Sequence, residues 1–143
     1  MLADSVQAVN GKLYILGGGW NIIGPDPSPT AVAILIEVPW DEANRRRKFT
    51  LSLIDGDAQP VFVPTPVGDK PVEIEGEFDV GRAPFMKPGT PLSFPLAINL
   101  GPLPLKPDGL FVWKLAIDGQ SDDGWVVTFS TRPPADQRQT TLG

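Results

Sequence analysis

Apolar and polar residues alternate through most of this chain, and the period is two. Phe111, Trp113, Leu115 and Ile117 alternate along one segment, and Trp125, Val127 and Phe129 along the next. Such spacing puts each set on one face of a pleated strand. The polar stretch between them, Asp118 to Gly124, reads as the loop of a β-hairpin whose inner face carries Trp113 and Trp125. Leu92, Phe94, Leu96, Ile98 and Leu100 predict another strand, with Pro95 facing outward. Val72, Ile74, Phe78 and Val80 alternate with Glu73, Glu75, Glu77 and Asp79, which leaves a ladder of four carboxylates on the outer face. Gly76 falls on the inner face of that strand and marks a bulge or a close backbone approach. Phe49, Leu51 and Leu53 predict a strand ending at Asp55-Gly56-Asp57. A short edge strand, Val61 to Val63, lies between Pro60 and Pro64.

Two segments near the start break the simple alternation. Ala31 to Val38 is apolar at almost every position, which predicts a central strand covered on both faces. Asn10-Gly11 separates two alternating runs and predicts a two-residue hairpin turn, because a type I′ turn needs positive φ at both positions. That turn pairs Val9 with Lys12, Ala8 with Leu13 and Val6 with Ile15. Gly17-Gly18-Gly19-Trp20 follows. No Lys-Ser/Thr comes after it and no helix pattern begins there, so it reads as a bend and not as a phosphate loop.

About nine strands at short intervals, with no amphipathic helix of useful length, predict an all-β fold. The expected form is a single antiparallel β-sandwich, immunoglobulin-like or jelly-roll-like, over residues 1–132. Pro133 to Gly143 is expected to be a disordered polar tail.

Composition narrows the function. A chain of 143 residues makes one domain, large enough to bury roughly 68–70% of its unfolded surface without disulfide or metal staples. Cysteine and histidine are both absent. That excludes disulfides, thiolate and imidazole metal ligands, cysteine nucleophiles and histidine general bases. The net charge of -5 argues against nucleic acid as a partner. Met1 to Ser5 shows no basic and apolar leader pattern. The longest apolar run, Ala31 to Ile36, is too short to span a bilayer. The expectation is a cytoplasmic protein with no membrane association.

The candidate interaction residues are charged clusters and two tryptophans. Arg45, Arg46, Arg47 and Lys48 are consecutive and could pair with Glu73, Glu75, Glu77 and Asp79, within one chain or across two. Trp20 and Trp40 are the aromatics least tied to a core stripe, and could stack on a sugar or fill a partner's pocket. Asp55, Asp57, Asp118, Asp122 and Asp123 lie on connecting loops, where oxygen ligands could hold calcium. Their spacing matches no EF-hand, and aspartate is an ordinary turn residue. No catalytic, cofactor or metal residue is assigned.

Several stretches together resemble a family of small uncharacterised bacterial proteins, many of them actinobacterial. They are Leu2-Ala3-Asp4, Gly11 to Tyr14 with Gly17 to Trp20, Pro39-Trp40 with Asn44 to Arg46, Phe49 to Asp55, and Trp113 to Gly119. The resemblance implies a compact single domain and brings no activity or site residue with it. The expected function is therefore non-enzymatic: protein–protein contact, by self-association as a homo-oligomer, with a dimer favoured, or as a small adaptor. The alternative is a module that binds carbohydrate or calcium on its loops.

The strand reading has a direct consequence for stability. Trp113→Ala is expected to cost about 3–5 kcal/mol, as loss of a large buried aromatic does. Lys114→Ala, on the opposite face, is expected to cost well under about 1 kcal/mol. Denaturant melts of the two variants compare them directly, and equal losses would mean the faces are assigned wrongly.

Overall fold

The computed structural model describes residues 1–134. Among them the chain is all-β, broken by one 3₁₀ turn at Trp40–Glu42. Twelve strands are present: β1 Leu2–Ala3, β2 Ser5–Val9, β3 Lys12–Leu16, β4 Ile22–Ile23, β5 Thr30–Val38, β6 Arg47–Asp55, β7 Phe62–Thr65, β8 Gly68–Pro71, β9 Glu73–Phe78, β10 Leu92–Leu100, β11 Leu110–Ile117 and β12 Gln120–Thr131. They form four sheets and not the single nine-strand sandwich expected. A three-stranded sheet runs β1-β5-β10 and a five-stranded sheet β4-β12-β11-β6-β9, while β2-β3 and β7-β8 are separate hairpins. One sheet curls into a half-barrel. The tail expected from Pro133 lies, beyond Pro134, outside the described residues.

The two larger sheets share one core. Val32, Ile36 and Val38 of β5 and Leu92 and Ile98 of β10 meet Phe49, Leu51 and Leu53 of β6 and Phe111, Trp113 and Leu115 of β11. Trp113 is 1% exposed and is the largest of the fully buried side chains. Period-two alternation in β6, β10 and β11, and the inward row of the nearly all-apolar β5, make this possible, since each strand directs one face to the shared interior.

The hairpins dock on this frame. Asn10 and Gly11 have φ of 52° and 74°, and the β2–β3 register pairs Val6 with Ile15, Ala8 with Leu13 and Val9 with Lys12, as the turn type requires. Val6 packs with Ala3, Ala31 and Ala33 in a second, smaller core. Asn99 of β10 accepts a hydrogen bond from the Val6 amide at 3.0 Å and donates to the Val6 carbonyl at 2.8 Å. The hairpin therefore covers the outer side of β5 at Ala31 and Ala33 but goes no further along it. Gly17 turns with φ of 62°, where a Cβ would lie 2.2 Å from the Asp4 carboxylate. The glycine run is the bend that lets the chain leave β3.

Two sequence expectations change in the structure. The segment Asp118 to Gly124 is not one open loop. Asp118 and Gly119, with φ of 51° and 79°, make a tight turn, and β12 resumes at Gln120. The ladder then slips: Ala116 pairs with Ser121 but Lys114 pairs with Val126. Residues 122–125 bulge opposite Leu115, and one extra loop of strand is what the aspartate-glycine run supplies. The second change concerns β5. It is covered on both faces only at its start, because Leu35 and Glu37 on its outer face are exposed.

The carboxylate-bearing strand β9 agrees with its sequence pattern residue by residue. Glu73, Glu75, Glu77 and Asp79 are exposed, and Val72 and Phe78 are buried. Gly76 pairs directly with Phe49 of β6, and a Cβ on it would sit 2.5 Å from the Phe49 ring. Gly76→Ala is therefore expected to destabilise by about 1–3 kcal/mol through overpacking. In a Phe49→Leu background the same change should cost much less. A double-mutant cycle in urea melts measures that coupling; a zero coupling would mean that the ring does not set the glycine requirement.

Candidate functional site

The charged clusters meet each other within the chain. Strands β6 and β9 are antiparallel neighbours with Lys48 opposite Glu77 and Thr50 opposite Glu75. From this register Arg46 reaches Glu77 at 3.3 Å and Lys48 reaches Glu75 at 3.7 Å. Arg45 and Arg47 turn the other way, to Glu42 in the 3₁₀ turn, at 3.7 Å and 3.6 Å. Glu73 and Asp79 form no ion pair among the described residues. Cross-strand pairing thus relieves part of the carboxylate repulsion inside one molecule.

The two candidate tryptophans are held by their own chain. The Trp20 ring meets Phe129 edge to face at a centroid distance of 6.0 Å. The Arg82 guanidinium stacks 4.6 Å above the Trp40 ring, and Arg82 also donates hydrogen bonds to the Trp40 carbonyl. Both tryptophans pack against the main core.

The loop aspartates do not converge. Asp55 lies at one end of β6, where its carboxylate accepts hydrogen bonds from the amides of Asp57 and Gln59, both at 2.9 Å. Asp118 lies at the other end and accepts from the Lys48 amide at 2.9 Å. Seven residues of strand, roughly 23 Å, separate them. Asp122 accepts from the Gly124 amide within the bulge. Each serves a turn, and no three acidic residues among those described are grouped as metal ligands.

The site that sequence reasoning missed is a groove between the two main sheets. It encloses about 630 Å³. Its walls are Ile34 to Val38 of β5 on one side and Trp125 to Val127 of β12 on the other, and its floor includes Leu51, Trp113 and Leu115. Leu35 is 53% exposed and Trp125 is 42% exposed. Period two does keep Trp125 on the groove side with Val127, but the described residues leave it partly exposed. The sequence signal for the groove was the unbroken apolar run of β5. Its misleading feature was that a two-residue β1, which leaves most of the strand edge open, leaves no mark on the hydrophobic pattern.

Three features give the groove its chemistry. It is apolar, with Glu37, Glu42 and Arg47 as its charged members. Glu42 is engaged by both Arg45 and Arg47. The buried indole N–H of Trp113, a floor residue, has no hydrogen-bond partner among the described residues. At one end the Met1 ammonium donates to the Ala33 carbonyl at 3.0 Å, and its burial lowers its pKa from the ordinary value.

An all-β chain of small sheets with an open apolar groove between the two larger ones is the class that fold and site define. The chain belongs to a family of unknown function, DUF6941, whose model matches residues 1–127. No curated protein and no solved structure matches it. No helix among the described residues is long and apolar enough to cross a membrane.

The ion pairs lie on the surface, so their energetic role is small. Arg46→Ala and Lys48→Ala are each expected to lower stability by about 0.2–1 kcal/mol at low salt. The loss should shrink further in concentrated salt, where exposed charges are screened. Urea melts at two ionic strengths measure both numbers; a loss of several kcal/mol would mean that the charged face is structural.

Proposed function

We propose that this protein acts by contact with another polypeptide, either a second copy or a different protein, and not by catalysis. One observation carries the reading: an apolar groove with Leu35 and Trp125 exposed along its rim. Exposed apolar surface gathered into one concavity is the usual mark of an interaction site. The charged strip Arg45 to Lys48, the other candidate, has partners at Glu42, Glu75 and Glu77 in its own chain. It therefore has less reason to seek a second molecule, and the contact surface moves to the groove. A bacterial setting goes with this reading and rests on the resemblance carried by Gly17 to Trp20 and the stretches around it. Sugar binding, the second reading, would rest on Trp125, since Arg82 already covers the Trp40 ring.

A photo-crosslinking residue in place of Leu35 should give discrete higher-mass protein adducts in the cells that make this protein. The same residue in place of Asp69, exposed on the β7–β8 hairpin, should give none. An adduct of twice the chain mass would assign the contact to a second copy. Absence of any adduct from position 35 would overturn the proposal.

A further inference from the structure

The free edge of β5 specifies what the groove takes. In an antiparallel strand the N–H and C=O of one residue point to the same side, and successive residues alternate sides. Ala33 fixes the phase: its amide donates to the Met1 carbonyl at 2.9 Å and its carbonyl accepts from the Met1 ammonium at 3.0 Å. Ala33 therefore faces β1, and so do Leu35 and Glu37. Ile34, Ile36 and Val38 face β10, opposite Leu96, Phe94 and Leu92. Because β1 pairs only with the start of β5, the N–H and C=O groups of Leu35 and Glu37 meet no partner among the described residues.

The opposite wall repeats the pattern. The Ser130 amide donates outward to the Asn21 carbonyl at 2.9 Å, so Thr128 and Val126 also direct their backbone groups away from β11. Strand β4 pairs only at Ser130 and Thr131, and the rest of that edge meets no strand among the described residues. A groove with an apolar floor and unpaired backbone along both walls is complementary to an extended chain.

We infer that the β5 edge receives an extended segment of another protein as an added antiparallel strand, continuing the line of β1. This deepens the protein-contact reading and rests on it. The register dictates the segment's chemistry. Five residues lie opposite Val38, Glu37, Ile36, Leu35 and Ile34, in that order along the segment. Directly opposite residues share a face. The first, third and fifth positions therefore point to the floor of Trp113 and Leu115 and are apolar. The second lies beside the exposed Glu37 and favours lysine or arginine, and the fourth beside Leu35 tolerates a small polar residue. Backbone pairing supplies the affinity, and the three apolar positions with one basic residue supply the selection.

The line of β1 offers a direct test within the full chain. Five residues placed before Met1, in the order valine, lysine, valine, threonine, valine, would run along β5 from Val38 to Ile34. Tethering makes the effective concentration high, of millimolar order, so weak intrinsic affinity cannot hide pairing. The expected result is at least about tenfold slower hydrogen exchange of the Leu35 and Glu37 amides. A control extension with proline at the second and fourth positions, which lacks the two donors, should leave both amides fast. In cells, the pairing extension should also remove the adducts of a crosslinker at position 35, and the proline extension should leave them.

Unprotected amides in the pairing extension would overturn strand addition. Protected amides with the adducts still present would also overturn it as the mode of contact, while leaving the protein-contact reading in place. Absence of adducts before any extension is added is the separate failure of that underlying reading.

Discussion

Every β-strand has two hydrogen-bonding edges, and the three-stranded sheet of this protein fills only part of one. Along β10, strand β5 is paired over its full length from Thr30 to Val38. On the other side β1 supplies two residues, and Met1 one further exchange. The layers depend on this inequality. The two larger sheets meet over Trp113, and the groove lies along the part of β5 that β1 does not pair.

Most of the fold was legible in the sequence because its strands obey period two and its turns carry their own chemistry. The β9 pattern is the clearest case: every residue from Val72 to Phe78 lies on the face that alternation assigns it, and Gly76 marks the close approach to Phe49. Asn10-Gly11 fixed a register that the structure repeats pair by pair. What was not legible is sheet membership. Ala3 to Val9 reads as one strand, but Asp4 divides it between β1 and β2, and the Asp4 amide turns back to the carbonyls of Leu16 and Gly17. Alternation says which face a residue takes, and not whether another layer will cover that face. Trp125 was placed on the right side and given the wrong burial for this reason. The charged candidates were legible as a pairing, but the choice between one chain and two depended on β6 and β9 being neighbours, which is a tertiary fact.

The ion pairs clarify how little charge contributes to this architecture. All four lie at the surface, and only the Arg47 side chain is largely buried, at 16% exposed. Exposed pairs contribute little, because water already solvates both members well. Their effect is local: they hold the segment from Glu42 to Lys48 against the sheet and temper repulsion along β9. Carboxylates left over at Glu73 and Asp79 keep that face hydrophilic.

That hydrophilic face sharpens the contrast between the edges of this molecule. Sheet edges invite pairing with other chains, and proteins usually blunt them with charge, proline or a covering segment. Strand β9 is the edge of the five-stranded sheet and carries the glutamate ladder. Strand β10 is the edge of the three-stranded sheet. Its Pro95 lies opposite Leu35, so one of the positions that would offer an N–H to the outside has none, and the β2–β3 hairpin is tied to the same strand through Asn99. Both outer edges are thus defended by different means. The inner edges, β5 beyond Ala33 and β12 before Ser130, carry Glu37 as their only ionisable side chain between Ile34 and Val38 and between Trp125 and Thr128. Among the described residues two edges are protected and the other two face one apolar groove, a contrast that supports the proposed contact surface. Leu35 and Val126 are exposed positions on these strands, where charge or proline would blunt the edges without loss of core.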